Sequence, residues 1–209
     1  MASSAQHESK LKLLDAALHV IRAKGYAATT VDDICRRAGV TKGSFFHHFK
    51  SKEDLALAAI GHFSAMAEGL FYGAPFTAAE DPLDRLLGYV EFRASILNGD
   101  LPEYTCLLGT MVQETYATHP ELRQACERGM SAHIAELTRD VEAARKRYAP
   151  DASWSAESVA YFIQSVLQGS FIFAKARQSP EVIRESLAHL RRYLISLFAQ
   201  APSNRKETP

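Results

Sequence analysis

Thr41-Lys42-Gly43-Ser44, followed closely by His47 and His48, brings hydroxyls, an ammonium and two imidazoles into one short stretch. Such groups bond to phosphate oxygens and to base edges. Thr30 and Lys52 stand at two further helix starts, where hydroxyls, free N–H groups and a lysine suit phosphate. Metal binding by His47 and His48 is disfavoured, because adjacent residues point about 100° apart on a helix. Cys106 follows Pro102-Glu103-Tyr104-Thr105 at a predicted helix start. The helix dipole there favours a thiolate, Glu103 opposes it, and an ordinary buried cysteine is the competing reading. Cys35 and Cys126 read as inert fillers.

No catalytic constellation is present: no nucleophile elbow, no HExxH, no P-loop and no paired-cysteine spacing. His119-Pro120-Glu121 lacks the zinc cysteines that should follow in a deaminase. The chain is expected to be no enzyme, and neither a cofactor nor a metal site is expected.

The elements that must position these residues read almost entirely as helix, with Pro and Gly as punctuation. Helices are predicted over about 10–24, 30–38, 41–49, 52–72, 82–98, 105–117, 120–148, 156–177 and 180–198, about nine in all. Leu13, Leu14, Ala17, Leu18 and Ile21 stripe the first helix, and Gly25 is a C-terminal stop. Thr30 and Asp33 form a capping box. The second helix, the tight turn Ala38-Gly39-Val40-Thr41 and the third helix have helix-turn-helix proportions. Ile34, Ala38, Val40, Phe45 and Phe49 are spaced to lock both onto the first helix. Lys42, Ser44, His47 and His48 are left on the open face, which suits a helix lying in the major groove.

Charge points to the same end. The chain carries 24 basic and 24 acidic residues, but residues 1–52 hold nine bases and four acids, a charge of +5, and the remainder carries −5. A basic head on an acidic body is the asymmetry expected when one end meets a polyanion. The 47% hydrophobic fraction excludes wholesale disorder. No apolar run approaches the ~20 residues of a membrane span, and the polar first ten residues lack a signal-peptide core. Three cysteines argue against a disulfide framework and for a reducing cytoplasm.

The stretch from Gly39-Val40-Thr41-Lys42-Gly43-Ser44-Phe45-Phe46-His47-His48-Phe49 through Lys50-Ser51-Lys52-Glu53-Asp54-Leu55 resembles the signature of the TetR family of bacterial transcriptional regulators. The likeness extends back to Leu13-Leu14-Asp15-Ala16-Ala17 and the Gly25-Tyr26 turn, over about the first quarter of the chain. It implies an all-α protein: a helix-turn-helix head over 1–55, a ligand-binding and dimerisation body over 56–200, and a polar tail over 201–209. It implies that Thr41, Lys42, Gly43 and Ser44 open a recognition helix, that Lys42 and His47 reach base edges, and that Thr30, Ser44 and Lys52 hold phosphates. Phe46 departs from the family's usual tyrosine and cannot donate to phosphate, although it can stack or pack. Phe46 is the one feature favouring the alternative, a helical small-molecule-binding or interaction protein without sequence-specific DNA binding.

In the body, Val159, Phe162, Ile163, Val166, Ser170 and Ala174 stripe one late helix, and Ile183, Leu187, Leu190 and Leu194 the last. The resemblance implies that these helices pair with their copies in a homodimer binding a near-palindromic, double-stranded operator; an intramolecular core is the competing reading. Phe63, Met66, Tyr89, Phe92, Tyr104, Cys106, Met111, His133 and Phe162 have the composition of an apolar ligand pocket, and equally of an ordinary core. The expected effector is a small, largely apolar or aromatic compound that releases the protein from DNA. The Cys106-Leu107-Leu108-Gly109 context resembles NemR-type regulators, which sense electrophiles with a cysteine at about this place.

Overall fold

The computed structural model describes residues 2–199, with side chains from Gln6 onward; the tail expected over 201–209 lies outside the described residues. Among the described residues there are ten α-helices, one 3₁₀ helix and no strand. The helices are α1 (Ala2–Lys24), α2 (Val31–Ala38), α3 (Lys42–His48), α4 (Lys52–Tyr72), the 3₁₀ turn Pro75–Ala78, α5 (Pro82–Ser95), α6 (Leu101–Tyr104), α7 (Leu107–Thr115), α8 (Pro120–Tyr148), α9 (Ala156–Arg177) and α10 (Glu181–Ala199). The all-α class is as expected from the sequence.

The expected count of nine falls one short, because Leu101–Tyr104 forms a separate turn of helix. Asp100 and Glu103 close a capping box on it, Pro102 sits in its first turn, and Thr105 is extended before Cys106 caps α7. The first helix also begins at Ala2 rather than Lys10. No Gly or Pro interrupts the early residues, and the Glu8–Lys12 pair at 2.7 Å lies one turn apart on the exposed face. The expectation that no stretch approaches a membrane span is amended by α4. Its 21 residues are long and apolar enough, because charges occur only at Lys52, Glu53, Asp54 and Glu68. Its first half is engaged in a protein core, with Leu55, Ala56, Ala59 and Ile60 buried.

The described residues form two compact units: 2–72 with Asn98–Ser131, and Gly73–Leu97 with 132–199. In the first, Leu13, Ala17, Ile21, Ile34, Phe45, Phe49 and Leu55 fill a core shared with Leu107, Met111 and Leu122. Phe45 is fully buried, so emptying its site would cost about 3–5 kcal/mol. Gly39 ends α2 with φ 66°, a left-handed turn that turns the chain into α3. Gly25 (φ 87°) ends α1, and a Cβ there would lie 2.0 Å from Glu114 Oε1 of α7. That carboxylate accepts a hydrogen bond from Ala27 N at 2.7 Å, which holds the α1–α2 turn against α7.

In the second unit α9 packs on α10, and α10 on α5. Val159, Ile163, Leu167, Phe171 and Ala174 of α9 and Ile183, Leu187, Leu190 and Leu194 of α10 are buried there.

Candidate nucleic-acid interface

The helix-turn-helix is built from local capping outwards. Thr30 Oγ1 accepts from Asp33 N at 3.2 Å while Asp33 Oδ2 accepts from Thr30 N at 2.9 Å. Thr41 Oγ1 accepts from Ser44 N at 3.2 Å and starts α3. Ser51 and Asp54 do the same work before α4, Ser51 Oγ accepting from Asp54 N and Asp54 from Lys50 N. With Phe45 and Phe49 pointing inward, α3 exposes Lys42, Gly43, Phe46 and His47. Thr41 is exposed at its start and Ser44 is half-buried on its flank. Phe46 is 58% exposed and stands edge-on to Phe45, their ring centroids 5.1 Å apart. A large apolar ring left in water on this face is available for contact with a partner.

Three expected phosphate or base contacts are placed differently. Lys52 turns inward: its Nζ donates to Tyr26 O at 3.0 Å and Thr29 O at 2.9 Å, and lies 4.2 Å from the centre of the Tyr26 ring. Partial burial lowers the Lys52 pKa, with Glu114 acting in the opposite sense. Its ammonium therefore holds the α1–α2 turn. Thr30 is exposed, but its hydroxyl proton goes to Asp33 Oδ2 at 2.6 Å. His48 is half-buried, its Nε2 2.7 Å from Ser9 Oγ of α1; burial, then the neighbouring His47 and Lys10, lower its pKa. It orients α3 rather than facing outward.

Lys42 carries a neighbour that motif reading passed over. Its Nζ lies 2.8 Å from Asp32 Oδ1, on an exposed part of α2, and this pairing raises the Lys42 pKa. Asp33, by contrast, is engaged by Lys24, Thr30 and its own helix start, which lower its pKa. Ser9, Asp32 and Glu114 are the residues here that sequence reasoning missed. Only the i, i+10 step between Asp32 and Lys42 across a tight turn hinted at any of them.

The expected pocket residues fall into different surroundings. In the first unit, Met111 is fully buried in the core, Phe63 and Cys106 pack against it, Tyr104 is half-buried and Met66 is exposed. Cys106 caps α7, its Sγ accepting from Gly109 N at 3.4 Å. Arg22 on α1 donates to Glu103 O at 3.1 Å and Thr105 O at 3.3 Å beside it. In the second unit, the Phe76 ring lies 5.7 Å from both Tyr89 and Phe92, and His133 lies on the Tyr89 ring, their centroids 5.8 Å apart. Tyr89 Oη lies 3.0 Å from His133 Nε2 and accepts from Gln164 Nε2 at 2.9 Å. Burial, then Arg93, lowers the His133 pKa to about 4, so this imidazole is neutral at pH 7. Phe76 and Gln164 were not foreseen. Gly88 is what admits Phe76, since a Cβ there would lie 2.7 Å from the Phe76 Cβ.

The stripe assigned to subunit pairing is mostly internal. Val159, Ile163, Ser170, Ala174, Ile183, Leu187, Leu190 and Leu194 are buried within the one chain, so they are core. Of that set Phe162 is exposed and Val166 half-buried. The residues left facing outward include Tyr161, Ile172, Phe173, Tyr193 and Ile195. The Phe162 and Tyr193 rings, 4.8 Å apart, link the open faces of α9 and α10. The buried stripe and the exposed rings share α9 because that helix is apolar on more than one face.

Comparison with known proteins follows this architecture. Residues 13–59 match the family described as bacterial regulatory proteins, tetR family, and residues 82–190 the tetracyclin repressor-like C-terminal domain. The transcriptional repressor NemR of Escherichia coli K12 is 24% identical over 91% of this chain and 96% of its own length. The transcriptional regulator AcuR of Cereibacter sphaeroides is 32% identical over 59% of this chain. The chain spans about half the length of AcuR, 55%, and 21% of the regulator YerO of Bacillus subtilis. Among solved structures, a regulatory protein TetR from Rhodobacter sphaeroides superposes with a TM-score of 0.78 at 24% identity, over 88% of this chain and 97% of that one. A TetR regulator from Chloroflexus aurantiacus gives 0.80 at 21% identity, over 92% and 96%. The two matches together, the second over more than half of the chain, place it in the TetR family of bacterial regulatory proteins.

Proposed function

We propose that the protein is an effector-responsive repressor in the cytoplasm that binds a near-palindromic operator as a homodimer. The observation that carries this reading is the open face of α3, where Lys42, Gly43, Phe46 and His47 are exposed beside the capped Thr41. Residues 1–55 supply the DNA-binding head and 56–200 bind effector and pair the chains. The exposed aromatic face of α9 and α10, centred on Phe162 and Tyr193, supports pairing with a second copy. Two heads then meet major grooves about one DNA turn apart or somewhat more.

The effector is a small, largely apolar or aromatic compound. The Tyr89–His133–Gln164 group supports this, as an aromatic cluster with a few polar handles and a neutral imidazole. Effector binding shifts α4 and the spacing of the heads; a coupling of about 1–3 kcal/mol, ~5–150-fold in affinity, suffices. The test is titration of DNA from upstream of the protein's own gene at two salt concentrations, then a screen for compounds that release it. Steep salt dependence with sequence preference supports the reading; flat, sequence-blind binding sinks it.

A second reading is favoured by one observation. Cys106 caps α7, is half-buried, and lies within electrostatic reach of the Arg22 guanidinium. In that reading the inducing signal is an electrophile or oxidant at this thiol. Cys126 is buried and its thiol pushed up to about 12, so it is a poor competitor. An unchanged response to electrophiles in Cys106→Ser removes the second reading.

A further inference from the structure

Asp32 is a carboxylate held on the face that meets a polyanion, and the fold does not require it there. Asp33 already supplies the capping carboxylate and the negative charge at the start of α2. Asp32 sits beside it, exposed, with its Oδ1 2.8 Å from Lys42 Nζ at the start of α3. Both side chains are more than half exposed, so the pair contributes little to folding and separates readily in contact with a ligand. An isolated carboxylate on this face would weaken binding to every DNA by repulsion from phosphate. Paired with Lys42 it makes the pair neutral, and it also withdraws the first cation of α3 from indiscriminate phosphate contact.

One edge in the major groove is complementary to a cation and a carboxylate side by side. A G·C pair presents the acceptors N7 and O6 on guanine and the amino donor N4 on cytosine along the same edge. An ammonium donates to the first two, and a carboxylate accepts from the third. An A·T pair presents the acceptor N7 and the donor N6 on adenine, then the acceptor O4 and a methyl group on thymine; its donor lies between the two acceptors, so it has no pair of adjacent acceptors for the ammonium with a donor beside them for the carboxylate. We propose that Asp32 and Lys42 act as one reading unit for a G·C pair in each half-site, with Lys42 on guanine and Asp32 on cytosine. This rests on the DNA-binding reading above and adds to it a specificity residue on α2.

The experiment is operator selection from a random duplex library with the full-length protein and with Asp32→Ala, followed by titration of the selected duplex with each G·C pair replaced by A·T. For the wild type, one replacement per half-site should weaken binding about ten-fold. In Asp32→Ala that discrimination should fall to about three-fold at that position only, the part Lys42 supplies alone, while affinity for random duplex rises, because one negative charge has gone. Thermal melting checks that the variant folds. Should it not, Asp32→Asn keeps the size and serves instead; its amide favours adenine, so preference at the same position should move from G·C towards A·T. The proposal is overturned if the folded variant selects the wild-type sequence with undiminished discrimination. Failure of the wild type to select any sequence is a different result, and overturns the DNA-reading assignment as well.

Discussion

Lys52 shows how far a side chain can depart from the role its motif assigns. Its position at a helix start suits phosphate, yet its ammonium bridges Tyr26 O and Thr29 O, 26 and 23 residues earlier. A lysine stem reaches in either direction, and only the packed α1–α2 turn decides which. Lys52→Met should therefore destabilise the fold by about 1 kcal/mol, seen as a lower urea midpoint. It should weaken operator binding by the folded protein less than Lys42→Met does. The caps at Thr30, Thr41 and Ser51 were legible because capping is local: hydroxyl, then a carboxylate or free N–H three residues on. The Phe46 ring is exposed, at the position where the family resemblance implies a tyrosine hydroxyl on phosphate. Phe46→Tyr should tighten DNA binding by about five-fold in a titration, the value of one added hydrogen bond of ~1 kcal/mol.

At the scale of the elements, periodicity located the long helices, and Pro82, Pro120 and Gly39 marked where they start and stop. It did not reveal the turn Leu101–Tyr104, whose four residues are too few for a period and whose capping box was overlooked. Nor did it say which sides of α9 and α10 face each other. α9 is apolar around much of its girth and α10 carries Tyr193 and Ile195 off its stripe, and only burial separates Ile163 and Leu190, inside, from Phe162 and Tyr193, outside. The two classes should behave differently. Leu190→Ala removes core packing and should cost about 2–5 kcal/mol of stability in denaturant unfolding. Phe162→Asp should leave unfolding nearly unchanged while converting a dimer to a monomer in size-exclusion chromatography with light scattering. If Phe162→Asp remains dimeric, the pairing face lies elsewhere.

Over the whole molecule, zero net charge conceals +5 on the first 52 residues and −5 on the rest. That split was readable by counting. What counting along the chain does not show is that residues 98–131 pack with the first 72. Through Glu114 and Arg22, helices from late in the sequence brace the turn before α2 and the end of α1.

Global stability also has a pH signature. His133 has its pKa lowered to about 4 by burial and Arg93, against 6.5 for the free group. Between those values the unfolded chain binds a proton that the folded chain does not, so stability falls as pH drops from about 6.5 to about 4. The full effect is about 3 kcal/mol, and it is absent in His133→Gln. Urea unfolding of both proteins at pH 7.5 and pH 5 checks it: the wild type should lose more stability than the variant.

The central claim is that the open face of α3 reads sequence rather than merely attracting phosphate. The most direct measurement is the ratio of dissociation constants for a selected operator and for a scrambled duplex of the same length, at 0.15 M salt. The expected ratio is about 10³ or greater in favour of the operator. Equal affinity for the two duplexes, falling together as salt rises, would contradict it.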